Sequence, residues 1–478
     1  MAPEDNGGLV RLRRFALLAV CTTAASAPAT AAPPSIALTP CRPAGVAEDL
    51  RCGTLRVPED RGSRSSRTIA LNVVVLPALG SERREPLFEL AGGPGVPSTG
   101  SVELYATELR AYRHHRDVVL FDQRGTGRSN PLDCPVAGTP FMRALGEMYP
   151  PAYVQACRDA LEKKADLRFY TTTISAQDLD DVRTALGYER IHLLGISYGT
   201  RLAQEYARRH PSRVKSLFLV GALPMWATVP LYHAAGAQRA LDQLFDDCAA
   251  DSSCAARYPG LRGAFRQLLA ALRRTPAAVT RGAESARLSA DVFTEGLRTM
   301  LYTPAGSRAV PKVIHRAAQG DWEPFLEHLV QEGKPGADGM YLSVTCSEDV
   351  ARIDPRAVRG LTAGTYFGDY RVRQQVRACA AWPRAHVPPD FWDDVQSDLP
   401  ALLYAGHRDP ITPPAWTDAV AAHFTRASVL LIDHEAHMPV GLGGMECWDA
   451  MAQRFLDEGA LQPADTACVT EMKAPPFE

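Results

Sequence analysis

From Thr54 to Gly221 the chain alternates short runs of apolar or β-branched residues with amphipathic stretches, a pattern that predicts strands joined by crossover helices. The expected strands are Leu71 to Leu76, Leu87 to Leu90, Val118 to Phe121, Ile191 to Gly195 and Leu217 to Val220, with helices over Ala176 to Leu186 and Tyr198 to Arg209. Several of these strands are continuously apolar rather than alternating, as a strand must be when helices cover both faces of its sheet. Beyond Gly221 the texture changes. Stretches rich in Ala, Leu and Arg, such as Ala237 to Ala249 and Leu261 to Arg273, predict helices, with few strand-like runs before Ala401 to Ala405 and Val429 to Ile432. Glu446 to Leu456 closes the chain with another helical pattern. A helical block lodged between two halves of a strand and helix alternation reads as an insertion packed over one edge of a core. The expectation is an α/β fold with a mostly parallel central sheet flanked by helices. Its core is split between residues 33–222 and 398–478, with a large helical cap over 223–397.

Residues 1–32 stand apart. Arg11, Arg13 and Arg14 precede the apolar run Phe15 to Val20, and small residues follow. That order predicts a secretory signal peptide, too short in its apolar stretch for a stable membrane span, cleaved after Ala27 or near Ala31 or Ala32. Cys21 follows Val20, where a lipidated cysteine follows a smaller residue, so a lipid anchor is disfavoured. Cleavage would leave ten of the 11 cysteines, an even number in a chain bound for an oxidising compartment, secreted or in the cell envelope. Their spacing suggests local pairs: Cys41 with Cys52, Cys134 with Cys157, Cys248 with Cys254, Cys346 with Cys379 and Cys447 with Cys468. Spacing alone leaves other connectivities open. No Cys-x-x-Cys or paired Cys/His spacing of a zinc site occurs, so the cysteines read as structural and no metal or other cofactor is expected. The 52 Lys+Arg are balanced by 54 Asp+Glu, which offers no broad basic footprint for nucleic acid. At 46% hydrophobic and 22% charged residues, the composition excludes wholesale disorder and a polytopic membrane protein. The pattern carries no signal for oligomeric state.

The sharpest chemical signal is Gly195-Ile196-Ser197-Tyr198-Gly199, where an apolar strand meets a helix. A strand-to-helix elbow brings the chain so close to its neighbours that side chains at the flanking positions would clash, while the tight turn projects the serine hydroxyl outward. A serine hydroxyl is a weak nucleophile at neutral pH, so it needs a base, and the base needs an oriented acid. Both are expected after later strands. Ala401 to Gly406 leads into His407-Arg408-Asp409-Pro410, which makes Asp409 the acid. Val429 to Ile432 leads to two histidines, His434 and His437; His437 is preferred because a few residues of loop are needed to reach over the sheet. Acyl transfer also needs donors for a developing oxyanion. Ala91-Gly92-Gly93-Pro94-Gly95 follows an early strand, and since Pro94 has no N–H, Gly93 is the expected donor there, joined by the backbone of Tyr198. No Gly-Lys-Ser/Thr follows, so this is not a phosphate loop.

Together these motifs resemble the α/β-hydrolase family, and within it the group of secreted tripeptidyl aminopeptidases and proline iminopeptidases. The resemblance rests on Gly92 to Gly95, on Val119 to Ser129, on Gly195 to Thr200 and on the Asp409 and His437 loops; the cap matches mainly at Val344 to Asp349. The pairs Cys346 with Cys379 and Cys447 with Cys468 are also similar to the tripeptidyl aminopeptidase branch. Iminopeptidases carry His where this chain has Ala91, which weighs against proline-specific cleavage. The resemblance implies a cap that closes the far end of the pocket and supplies acidic groups for a substrate α-ammonium, with Glu348 the candidate. The segment around Asp122 is expected to shape the oxyanion loop rather than to react. The expected function is therefore a secreted serine hydrolase that cleaves short peptides from the N-terminus through a Ser197-Asp409-His437 acyl-enzyme mechanism. An esterase or amidase acting on a small apolar substrate uses the same machinery, and a hydrolase-like binding protein without catalysis is the third reading.

Overall fold

A computed structural model describes residues 35–331 and 337–478; the expected signal peptide lies outside the described residues. The strands are β1 (Thr39–Cys41), β2 (Leu50–Pro58), β3 (Thr68–Leu76), β4 (Leu87–Leu90), β5 (Val118–Phe121), β6 (Ile191–Ile196), β7 (Val214–Val220), β8 (Ala277–Arg281), β9 (Glu284–Leu288), β10 (Ser397–Gly406) and β11 (Phe424–Ile432). Nine of them form one sheet in the order β1-β2-β3-β5-β4-β6-β7-β10-β11. Pairing is parallel from β5 through β11, while β1, β2 and β3 join antiparallel. Every strand expected from the sequence is present; β1 and β2 are additional and extend the sheet at its antiparallel edge.

The unbroken apolar runs divide by the two-residue period of a strand. Leu71, Val73, Phe88, Val119 and Leu193 point to one face, where they pack against the helices Thr172–Ala185 and Tyr198–Arg209. Their neighbours Val74, Leu87, Val118, Leu120 and Leu194 point to the other, against Tyr105 and the helix Met445–Glu458. Both faces are thus covered, which is why the strands could not alternate with polar residues.

The order of the sheet reverses at β4, since the next strand, β5, pairs on one side of it and β6 on the other. The carboxyl ends of β4 and β6 therefore flank a switch point, the crevice at which open α/β sheets hold ligands. The Gly92 to Gly95 loop leaves β4 there, and Ser197 leaves β6.

Between β7 and β10 the chain forms a block with an apolar core of its own, built on Leu241, Phe265, Phe293 and Ile314 from the helices Val229–Ala250, Leu261–Arg274, Ala290–Met300 and Pro304–Ala318. Phe141 and Leu145, from a segment between β5 and β6, join the same core. One feature departs from the expectation of few strands in this block: β8 and β9 form a hairpin closed by Gly282 at φ 61°. Its strands, Ala-Ala-Val-Thr-Arg and Glu-Ser-Ala-Arg-Leu, bury little, so the apolar pattern does not announce them; the glycine turn is their local signal. The disulfides pair Cys41–Cys52, Cys134–Cys157, Cys248–Cys254, Cys346–Cys379 and Cys447–Cys468, the connectivity that spacing suggests. Among the described residues no helix is long and apolar enough to cross a membrane.

Candidate active site

Ser197 occupies the turn between β6 and the helix Tyr198–Arg209 with φ 54° and ψ −119°, a region that a residue with a side chain enters only under strain. The flanking glycines make the turn possible. A Cβ at Gly195 would lie 2.7 Å from the Gly199 carbonyl oxygen, and one at Gly199 would collide with the Leu90 carbonyl of β4. The helix therefore starts directly against the neighbouring strand and holds the serine side chain above the sheet.

Asp409 and His437 arrive on the loops that follow β10 and β11. His437 Nε2 lies 3.0 Å from Ser197 Oγ, and His437 Nδ1 lies 2.8 Å from Asp409 Oδ2. Asp409 is fully buried. Its Oδ1 accepts the backbone N–H groups of Ile411 (2.7 Å) and Thr412 (2.8 Å), and its Oδ2 accepts the Thr412 hydroxyl at 2.6 Å. Burial pushes the Asp409 carboxyl up, but the His437 ring and these hydrogen bonds outweigh it, and the group stays below the ordinary carboxylate range. A carboxylate of this kind fixes the tautomer of the ring it faces, leaving Nε2 free to accept the serine proton.

The inserted block braces the same histidine. The Tyr302 carbonyl accepts the backbone N–H groups of His437 (2.9 Å) and Met438 (2.8 Å), and the Tyr302 ring meets the imidazole edge-on at 5.2 Å. Arg298 in turn donates to the Tyr302 hydroxyl at 2.6 Å. His434, the competing histidine, pairs instead with Asp433 in a loop on the surface side and does not reach Ser197.

Ser197 and His437 open into a cavity of about 350 Å³ that Gly93 and Tyr198 also line. Tyr198 is the first residue of its helix, where backbone N–H groups have no partner within the helix. The Asp122 carboxylate accepts from Thr99, Asn72 and the Arg128 backbone, tying the turn after the glycine loop to the sheet.

Glu348 is placed differently from the expectation. It does not line the cavity; it is 1% exposed, and Thr172 donates both its backbone N–H and its hydroxyl to it at 2.7 Å. Burial pushes its carboxyl up to about 8, so near neutrality it is a protonated acid rather than an anchor for a cation. Tyr198 OH lies 2.8 Å from the same Thr172 hydroxyl, so Glu348 holds the elbow through Thr172. The next residue, Asp349, does line the cavity and is paired with Arg201 at 2.9 Å. Thr412, Tyr302, His233 and Arg371 also line the cavity and are absent from the residues the sequence singles out. Only Thr412 has a local signal, a hydroxyl three positions after an aspartate, where it can cap that carboxylate. Among the described residues no group of three or more His, Cys, Asp or Glu side chains is placed to hold a metal ion.

The chain is similar to several known proteins. The sequence pattern of the alpha/beta hydrolase fold matches residues 86–443. Serine protease Hip1 of Mycobacterium tuberculosis is 24% identical over 481 aligned residues, which cover 90% of this chain and 90% of Hip1. The tripeptidyl aminopeptidase of Streptomyces lividans is 31% identical over 191 residues, covering 35% of this chain and 34% of that protein. The crystal structure of a proline iminopeptidase from Mycobacterium smegmatis superposes with a TM-score of 0.39 at 18% identity, over 85% of this chain and 98% of that one. A strained serine on a strand-to-helix elbow, in a chain matched from before that strand to beyond the last one, leaves one conclusion: the protein belongs to the α/β-hydrolase family, as a serine hydrolase.

Proposed function

We propose that the protein is an exported peptidase that releases short peptides from the N-terminus of its substrates. In this reading Ser197 Oγ attacks the scissile carbonyl carbon while its proton passes to His437 Nε2. Asp409 orients the ring and stabilises the imidazolium, and the backbone N–H groups of Gly93 and Tyr198 take up the developing oxyanion. Collapse of the adduct breaks the C–N bond, and the departing amine takes the proton from Nε2. A water, deprotonated by the same nitrogen, then attacks the acyl carbon, and as the bond to Ser197 Oγ breaks Nε2 returns that proton to the serine oxygen, releasing the acid. The observation that carries the acyl-transfer part of the reading is the unbroken chain Ser197 Oγ, His437 Nε2, His437 Nδ1, Asp409 Oδ2, with steps of 3.0 and 2.8 Å between residues. The similarity to Hip1 and to the tripeptidyl aminopeptidase supports a peptide substrate over an ester. Asp349, which lines the same cavity in its ion pair with Arg201, takes the place of Glu348 as the acidic group in reach of a substrate α-ammonium, which would share it with Arg201. Five disulfides among the described residues support export.

Tripeptide p-nitroanilides with free and with acetylated N-termini, assayed beside short-chain p-nitrophenyl esters, test the proposal. The free peptides are expected to be cleaved and the acetylated ones spared. Ser197→Ala is expected to reduce turnover by something on the order of a millionfold with the fold intact. Cleavage of esters alone, indifferent to the blocked amine, would overturn the peptidase assignment and favour the esterase.

A further inference from the structure

We infer that the wall of the catalytic cavity supplied by the inserted block is a subsite for a substrate carboxylate, built on Arg371 and His233. The inference rests on the peptidase reading above and assigns the substrate class. His233, on the helix Val229–Ala250, and Arg371, on the helix Tyr370–Ala380, line the cavity that holds Ser197 and His437. Both also line a small adjoining cavity together with Glu295 and Arg298.

The charges there do not cancel. Arg298 and Arg371 both pair with one carboxylate, Glu295. Burial pushes Glu295 up, but the two guanidinium groups outweigh it and hold the acid near 2, so it is ionised and fully engaged. Arg201 is matched by Asp349. Glu89, the remaining carboxyl on the cavity wall, is pushed up to about 7 by burial and accepts a hydroxyl from Ser101 at 2.7 Å. Arg298 and Arg371 thus share a single ionised carboxylate, a local surplus of one guanidinium at this wall.

The hydrogen bonds do not close either. Arg371 directs one terminal nitrogen to Glu295 and the other to the Tyr341 hydroxyl at 3.3 Å, while its Nε is buried with no acceptor. His233 is 4% exposed and neither ring nitrogen has a partner. Burial, reinforced by Arg371, Arg298 and His437, pushes His233 well below the usual histidine range, so it is a neutral ring with one N–H to give. A buried donor without an acceptor is costly, and one on a charged group more so. A carboxylate satisfies this set in a way a neutral amide does not: two oxygens, acceptor-only, can take the guanidinium N–H and the imidazole N–H together while neutralising the surplus charge. A peptide carries that group on an acidic side chain or at its free C-terminus.

The experiment compares kcat/KM for Ala-Ala-Glu and Ala-Ala-Gln p-nitroanilides, and for hexapeptides with free and amidated C-termini, in the full-length enzyme. The first pair puts the carboxylate on the acyl side, the second on the leaving side. One pair is expected to show a preference for the acid of on the order of ten- to hundredfold, the range of a hydrogen-bonded charge. In Arg371→Gln, and separately in His233→Leu, that ratio is expected to fall toward one, with Arg371→Lys keeping part of it. Fluorophosphonate labelling of Ser197 shows which variants retain a folded site. The p-nitrophenyl half-ester of glutaric acid and its methyl ester repeat the comparison without a peptide. If peptides are cut with no acid preference in either pair, or if the preference survives in both variants, the subsite falls and the peptidase stands. If only the half-esters are cut, and with the preference, the peptidase falls and the subsite stands.

Discussion

Asp409 takes three hydrogen bonds besides the one to His437, and Thr412 gives two of them, one from its backbone and one from its hydroxyl. Removing only the hydroxyl separates orientation from charge. Thr412→Val keeps the shape and the carboxylate but frees Asp409 Oδ2 to turn, and the loss of one hydrogen bond to a charged group is about 1.5–3 kcal/mol. The expected result is a fall in kcat of roughly ten- to hundredfold with KM nearly unchanged, against roughly ten-thousandfold for Asp409→Asn, where the ring loses its tautomer. Equal losses in the two variants would show that the hydroxyl does more than orient. Glu348 gives a residue-scale prediction of another kind. Its folded carboxyl, at about 8, lies above its ordinary value of 4.5. Between those two values the folded state binds the extra proton, so this contribution to stability is complete below 4.5 and is lost as pH rises toward about 8. Glu348→Gln cannot ionise. Thermal melts from pH 4.5 to 8 are expected to show a shallower decline in the variant than in the wild type; parallel curves would mean that Glu348 ionises in the folded protein as it does in water.

The nucleophile elbow is an element whose tolerance is set by backbone, not by side chains. An alanine at Gly199 would drive its methyl into the Leu90 carbonyl of β4, and neither main chain can yield without moving Ser197. Gly199→Ala is expected to cost about 1–3 kcal/mol or more in urea unfolding and to abolish activity. Gly263→Ala, inside the helix Leu261–Arg274 with nothing within 4 Å of the added methyl, is expected to gain about 0.5–1 kcal/mol instead. The contrast separates contact from helix propensity. The same elbow explains what was legible in the chain. Glycines, a continuous apolar strand and an amphipathic start are all local, so the helix Tyr198–Arg209 is found with the bounds its periodicity predicts. Asp409 and His437 are legible because each directly follows an apolar strand. Tyr302, His233 and Arg371 are not, because helices far away in the chain bring them to the cavity and nothing local distinguishes them from other cap residues. Glu348 shows the limit most sharply. It ends a helix, where successive side chains diverge, so Asp349 faces the cavity while Glu348 turns to Thr172 in the interior.

Over the whole molecule, the disulfides divide by what they join. Cys41–Cys52 clips β1 to β2 at the antiparallel edge of the sheet. Cys346–Cys379 ties the helix Asp338–Glu348, which leads to Asp349, to the helix Tyr370–Ala380, which carries Arg371. The first closes a span of 11 residues and the second one of 33, so loop-closure entropy alone makes the second worth about 1 kcal/mol more, within a usual range of about 2–4 kcal/mol for either. Entropy does not distinguish them functionally, but position does. Replacing Cys41 and Cys52 together by serine is expected to lower the melting temperature and leave kcat and KM where they were. Replacing Cys346 and Cys379 together is expected to lower it further and to raise KM for peptides, because two helices that line the cavity lose their tether while Ser197, Asp409 and His437 keep theirs. Fluorophosphonate labelling at the wild-type rate in both variants, with KM raised only in the second, would assign the core to chemistry and the inserted block to substrate. A matching loss of labelling and of peptide affinity in the second variant would mean instead that the block holds the His437 loop in place, through the Tyr302 carbonyl that accepts from His437 and Met438.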